Sequence, residues 1–294
     1  MAMGAADVVP GVSGGTIAFI TGIYEKLISS ISQVDISLIK KLFSGRFSSV
    51  WQQVNGNFLL SLLIGIGFSI LTLAQLAHHL LETYPVLLWS FFFGLVVASI
   101  IFMGKQIERW RAIFIISAVL AIAIAYFITR LTPASGTDSL LYIFFCGMIA
   151  ISAMILPGIS GAFILVLMGA YTTITKAISD FDLKTIAVFG MGAVIGLLSF
   201  SKLLKWLFDH HRNIVLAILT GFITGSLNKV WPWKKVVETR MIDGKEKIIS
   251  ETSVMPWNYE GEPMVLASIL LAISGFGLIF SLEYFSSKFS SEET

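Results

Sequence analysis

Val9-Pro10-Gly11-Val12-Ser13-Gly14-Gly15-Thr16 recurs almost unchanged as Leu156-Pro157-Gly158-Ile159-Ser160-Gly161-Ala162-Phe163, Pro157 standing 147 positions after Pro10. At the same offset Ile17 pairs with Ile164, Gly22 with Gly169, Tyr24 with Tyr171, Ile31 with Ile178 and Asp35 with Asp182. A chance Pro-Gly dipeptide does not give so many matches, and the chain reads as two related halves, 1–131 and 132–294, of one integrated membrane domain. Proline lacks an amide hydrogen and clashes with the preceding turn, while glycine reaches backbone angles that other residues avoid. A helix therefore breaks at Pro10-Gly11 and again at Pro157-Gly158. Ser13 and Ser160 stand where a side-chain oxygen caps the next helix, and apolar sequence follows each of them.

Composition says where these broken helices lie. The 294 residues are 56% hydrophobic and 13% charged, with mean hydropathy +0.85, the profile of a polytopic membrane protein. A formal net charge of +2 without a basic motif argues against a nucleic-acid partner. Cys146 is the single cysteine, so the chain can form neither an internal disulfide nor a cysteine metal cluster, and it reads as a small core residue. The N-terminus lacks the pattern of a secretory signal. The leg before Pro10 is short beside the apolar run 140–156 before Pro157, so either the first half has a shortened leg or the sequence starts downstream of its natural beginning.

Residues 14–27 cover ~21 Å as a helix, too little for a ~30 Å hydrocarbon layer, and should dip in and return. Residues 26–57 read as a surface segment with an interfacial helix around 36–43. The runs 58–81, 86–104 and 112–131 are three full spans. Residues 140–156 and 161–177 form the second hairpin, and 186–208, 214–231 and 264–285 are three more spans, with one polar loop at 232–263. The fold class expected is thus an all-α polytopic membrane protein with two re-entrant hairpins and about six full spans. Three crossings between the hairpins invert the second half relative to the first, the inverted-topology repeat of many secondary transporters. Further pairs run through the halves: Gly65 with Gly196, His78-His79 with His210-His211, and Gly94, Ala98 and Ser99 with Gly221, Gly225 and Ser226. The small residues four apart suit close helix packing.

Lys26, Lys40, Lys41, Arg46, Lys105, Arg109, Arg111, Lys202, Lys205 and Arg212 fall on one side, against Arg130, Lys176 and Lys184 in the short loops of the other. The first group is assigned to the cytoplasm, so the first hairpin enters from inside and the second from outside.

Two helix N-termini meeting at mid-bilayer would present positive dipole ends and unpaired amides, an anion site. Ser13, Ser160 and Thr16 add hydroxyls, while Gly14, Gly15 and Gly161 let an oxyanion approach the backbone. The bland alternative is that Pro, Gly and Ser only kink and pack the helices. Asp7 is a candidate for proton or cation coupling or a simple cap, and Glu25 a coupling candidate or a solvated interfacial residue. Arg109, Arg111, Lys202 and Arg212 are candidates for head-group recruitment or plain topology determinants. The histidine pairs suit interfacial positions better than a metal site. No cofactor or metal is expected; a coupling ion, H+ or Na+, is left open.

Gly4-x2-Asp7-Val8-Val9-Pro10-Gly11-Val12-Ser13-Gly14-Gly15-Thr16, with Gly22-Ile23-Tyr24-Glu25, resembles the bacterial and archaeal polyprenyl-phosphate transporters, long classed as a domain of unknown function. Leu156-Pro157-Gly158-Ile159-Ser160-Gly161, with Gly169 and Tyr171, resembles that family's second half. The resemblance implies a multi-pass protein of the bacterial cytoplasmic (inner) membrane. It would return undecaprenyl phosphate from the outer to the inner leaflet, with polyprenyl-phosphate and membrane lipids as partners and a homo-oligomer as a further candidate. Ala162-Phe163 replaces Gly15-Thr16, so the second tip is expected to offer fewer donors. Two competing functions remain in view: an ion-coupled carrier of a small soluble anion, and a membrane lipid phosphatase. The latter lacks a visible nucleophile and base.

Overall fold

The computed structural model describes residues 1–8, 13–131, 133–134, 136–137, 139–242 and 245–292. The structure is 78% helical, as expected where backbone groups must be satisfied within each segment for want of water. In the first copy of the motif α1 (Ala2–Val8) leads to α2 (Gly14–Ile20), while residues 9–12, with the expected break at Pro10 and Gly11, lie outside the described residues. Gly22, at φ 71, turns α2 into α3 (Tyr24–Ser32). The helix expected at the interface forms as α4 (Ile36–Phe43), followed by α5 (Phe47–Gln53).

The long apolar runs become α6 (Gly56–Thr83), α7 (Pro85–Lys105) and α8 (Ala112–Arg130). The second motif joins α9 (Leu140–Ile155) to α10 (Gly161–Leu167), with Gly158 at φ 85 in the break. Its return leg is two helices rather than one: α10 and α11 (Tyr171–Ser179) diverge by 111° at a turn where Gly169 has φ 66. The loop after α8 holds that turn, Ala134 N donating to Leu167 O at 2.8 Å.

The runs expected as two spans at 186–208 and 214–231 form the two helical pieces of α12 (Leu183–Ser226), which meet at a kink where His211 has φ −140, ψ 41. At ~1.5 Å per residue this helix is about twice as long as a ~30 Å hydrocarbon layer is thick. After a short 3-10 turn, the polar loop forms an antiparallel hairpin of β1 (Lys234–Ile242) and β2 (Lys245–Ser253), which corrects the all-α expectation. The last element is α13 (Val265–Glu292). Among the described residues, four helices can cross a membrane by length and composition, or five if the bent pair α10 and α11 counts as one span. This is below the expected six because the two pieces of α12 that meet at His211 count together as one and the apolar part of α13, Val265–Ser281, is short.

Close glycine contacts set the helix pairing. A Cβ on Gly192 would lie 2.0 Å from Phe144 O, and one on Gly196 2.4 Å from Met148 O, so α9 and the first part of α12 run alongside in the same direction. Past His211, Gly221 meets Ala118 O and Gly225 meets Ile122 O, laying the second part of α12 along α8. The buried core gathers Tyr24, Phe208, Leu216, Leu219 and Ile223 between the two hairpins and α12, and Cys146 is buried, as expected for a small core side chain.

Candidate functional site

The two broken helices meet tip to tip. Thr16 Oγ1 accepts a 3.0 Å hydrogen bond from Gly158 N. Ser13 caps α2 as expected, its extended backbone (φ −119, ψ 132) letting Oγ accept from Gly15 N at 3.1 Å while the hydroxyl donates to Met154 O at 3.4 Å. Tyr24 OH donates to Ile155 O at 3.2 Å. The N-terminus of α2 thus lies against the last carbonyls of α9, positive dipole end against negative. The approach needs glycine, since a Cβ on Gly15 would come within 2.7 Å of Ile155 O. All of α2 is buried, with Ser13 at 1% and Thr16 at 2% exposure.

The second tip is more open. Ser160 has the extended backbone of an N-cap (φ −97, ψ 130) but makes no capping bond with its side chain. Among the described residues the amides of Gly161, Ala162 and Phe163 have no protein acceptor. Ser160 is half-buried and Ala162 exposed. Ser13, Gly15 and Thr16 of the first tip thus bond within the protein, as does Gly158 N of the second, while the Ser160 side chain makes no capping bond. Gly158 packs on α12, where a Cβ would lie 2.9 Å from both Ile223 Cα and Ser226 Oγ. Just beyond, Lys229 Nζ stands 4.2 Å from the centroid of the Phe163 ring, putting a cation beside this tip. Sequence reasoning missed Lys229 because it closes an apolar run far from the motif.

The model of the undecaprenyl phosphate translocase-like family matches residues 3–248, which contain both tips. The chain belongs to that family. A polyprenyl-phosphate transporter of Vibrio cholerae is 42% identical over 293 residues, 98% of this chain and 95% of the relative. Another of Staphylococcus aureus is 34% identical over 250 residues, 79% of this chain and 83% of the relative. No solved structure matches. The family and both relatives carry the names of transporters, not enzymes, and with its apolar helices the chain is a multi-pass membrane protein.

Asp7 apart, the remaining candidates of this family member make none of the tip contacts above. Asp7 is in the last turn of α1, its side chain outside the described residues. Glu25 and Arg212 are brought together: Glu25 Oε1 accepts from Arg212 Nη2 at 2.9 Å and from Nε at 3.1 Å, joining the start of α3 to the bend of α12. Glu25 lines a cleft of about 260 Å³ with Lys26, Lys205, Phe208 and Asp209, apart from the tips. Lys202 is exposed. The Leu38 amide and the Ser37 hydroxyl, with Lys202 adding, hold the Asp35 carboxyl below the usual carboxylate range. Arg109 and Arg111 are exposed between α7 and α8 and form no ion pair among the described residues.

Proposed function

We propose that the chain moves undecaprenyl phosphate across the cytoplasmic membrane for reuse in envelope synthesis, by alternating access around a phosphate site where the two tips meet. Halves 1–131 and 132–294 act as inverted repeats, each a re-entrant hairpin with three spans. The count reaches six when α12 crosses twice, bending at His211, and α13 crosses once. The length of α12 supports this reading. So does the packing: Gly4 of α1 against Ile66 of α6, and the α10–α11 turn against Ala134 and Gly136 after α8.

The observation that carries the proposal is the bond between Thr16 and Gly158, which joins the start of α2 to the break between α9 and α10. A phosphate stripped of water needs replacement donors, because burying an unpaired charge is prohibitive. Ser160 and the Gly161 amide offer them at the open tip, and Lys229 adds charge. Ser13, Gly14, Gly15 and Thr16 form the other half, closed in this state. Parting the tips would free Thr16 Oγ1 and Gly158 N to follow the phosphate, while the isoprenoid tail stays in lipid. Asp7 remains the candidate for H+ or Na+ coupling; Glu25 is engaged by Arg212.

The test is reconstitution of the unaltered chain in sealed vesicles with leaflet-resolved undecaprenyl phosphate. Movement of the lipid that free inorganic phosphate does not abolish is expected. Uptake of inorganic phosphate without lipid movement would instead establish the small-anion carrier, and release of phosphate from the lipid would establish a phosphatase.

A further inference from the structure

The short turn that follows α12, Leu227–Val230, lies against the second tip: a Cβ on Gly158 would come 2.9 Å from Ser226 Oγ, and Lys229 Nζ stands 4.2 Å from the Phe163 ring centroid. The base of the β-hairpin is fastened to the same turn. Ser253 Oγ donates to Asn228 Oδ1 at 2.6 Å, Trp231 Nε1 to Val254 O at 2.8 Å and Val254 N to Trp233 O at 3.0 Å. Lys234, which opposes Ser253 in the strand register, thus enters β1 close to that turn. We infer that Lys229 and Lys234 form a docking site for the phosphate of the carried lipid, and that Glu251 fills it as an internal counter-anion until the phosphate arrives. The inference rests on the lipid reading above and deepens it.

The charges do not balance within the protein. The Lys234 side chain is 13% exposed, its ammonium set between the Trp89 ring, 3.8 Å from the centroid, and Glu251 Oε2 at 3.6 Å. Burial pushes its pKa down to about 8, Glu251 pulls the other way, and the like charge of Lys229 adds to the downward push, so the two ammoniums are near enough to feel each other. Lys235 pairs instead with Glu260, and Lys229 forms no ion pair among the described residues. One carboxylate therefore serves two half-buried cations. A cation withdrawn from water calls for an anion beside it. A phosphate monoester carries about −1.5 to −2 at neutral pH and so matches two lysines where a single carboxylate does not.

Glu251 is placed to leave. It opposes Val236, diagonally across the hairpin from Lys234, and its side chain is 38% exposed. Its 3.6 Å contact with Lys234 is longer than the ~2.7–2.9 Å of a tight charge-assisted bond. Rotation of the carboxylate toward water uncovers Lys234 without unmaking the strand pairing. The ring faces of Trp89 and Phe163 keep the two ammoniums in place meanwhile.

Substitutions of the two partners should act in opposite directions. In the full-length chain reconstituted with undecaprenyl phosphate below about pH 8, where Lys234 keeps its proton, Glu251→Gln removes the rival anion and should lower the lipid content needed for half-maximal movement by about threefold or more. Lys234→Met should raise it by about tenfold, and Lys234→Arg should hold it within a few-fold. An ion pair that only braces the hairpin would suffer from the loss of either partner. Shifts in the same direction, or no shift in Glu251→Gln, would therefore overturn the docking site. Should Lys234→Met not fold, Glu251→Gln, at the more exposed position, decides the matter by itself. Inorganic phosphate is the other source of the same chemistry, and its equilibrium binding to the solubilised protein should be much weaker than that of the lipid; binding as tight as the lipid's would make this a free-phosphate site and overturn the assignment. Lipid movement by the unaltered chain without the opposed shifts removes the docking site alone, whereas absence of lipid movement by the unaltered chain removes the reading beneath it as well.

Discussion

The hydroxyl of Thr16 and the backbone amide of Gly158, 142 positions apart in the chain, share a 3.0 Å hydrogen bond where the two broken helices touch. Thr16 is 2% exposed, so water cannot replace the bond if one partner is lost. Thr16→Val should destabilise the protein by about 1–3 kcal/mol, the range for leaving a buried donor unpaired. It should also slow lipid movement, and Thr16→Ser should restore both. Thermal unfolding in detergent beside the vesicle assay checks this. Equal behaviour of the Val and Ser variants would mean that the contact is incidental.

Gly15 is constrained by what faces it. Gly15→Ala places a methyl within 2.7 Å of Ile155 O and must push the tips apart, whereas a Cβ on Gly190 meets nothing within 4 Å. Gly15→Ala is expected to abolish movement of the lipid. Gly190→Ala is expected to keep it, with a gain of up to ~1 kcal/mol from helix propensity. The two variants, compared by transport rate and unfolding midpoint, separate tip geometry from a general intolerance of alanine.

Lys229 supplies the charge nearest the open tip. Lys229→Met should raise the lipid concentration needed for half-maximal movement by about tenfold, the loss of one charge-assisted contact. Lys229→Arg should keep it within a few-fold. A titration of lipid content in the vesicles reads both, and unchanged half-saturation in Lys229→Met would remove this residue from the site.

Lys234 gives a pH signature outside the spanning helices. Its ammonium stands 3.8 Å from the centroid of the Trp89 ring and 3.6 Å from Glu251 Oε2. Burial pushes its pKa down to about 8, against the pull of Glu251. Between that value and about 10.4, the unfolded reference, the unfolded chain holds a proton that the folded one has released. Stability contributed by this group therefore rises with pH across that window. The unfolding midpoint should climb between pH 8 and 10 relative to Lys234→Met, and parallel curves for the two proteins would contradict it.

The break at Pro157-Gly158 was legible because proline and glycine act locally, and Ser13 caps as a serine before an apolar run should. The limits of α6, α7 and α8 followed from unbroken apolar sequence. The β-hairpin was not read because Lys234–Ile242 and Lys245–Ser253 are rich in charge, yet the Asp243-Gly244 dipeptide is a strong hairpin turn signal. The division of α12 was legible in the polar residues at 209–213, and only the backbone shows that the two pieces meet at a kink at His211. At the site, the residue types were visible while their engagement was not. Which tip is closed depends on contacts between α2 and α9, and the pairing of Glu25 with Arg212 on contacts between α3 and α12. Neither has a trace in local sequence. Being half exposed, that pair should show a coupling of no more than ~1 kcal/mol in a double-mutant cycle.

The decisive measurement is leaflet-resolved movement of undecaprenyl phosphate by protein carrying Ser13→Ala together with Ser160→Ala, reconstituted after its folding has been verified. Loss of the Ser13 cap costs about 1 kcal/mol, which a folded membrane protein can tolerate. Movement close to that of protein-free vesicles is predicted. A rate equal to that of the unaltered protein would contradict a phosphate site at the joined tips.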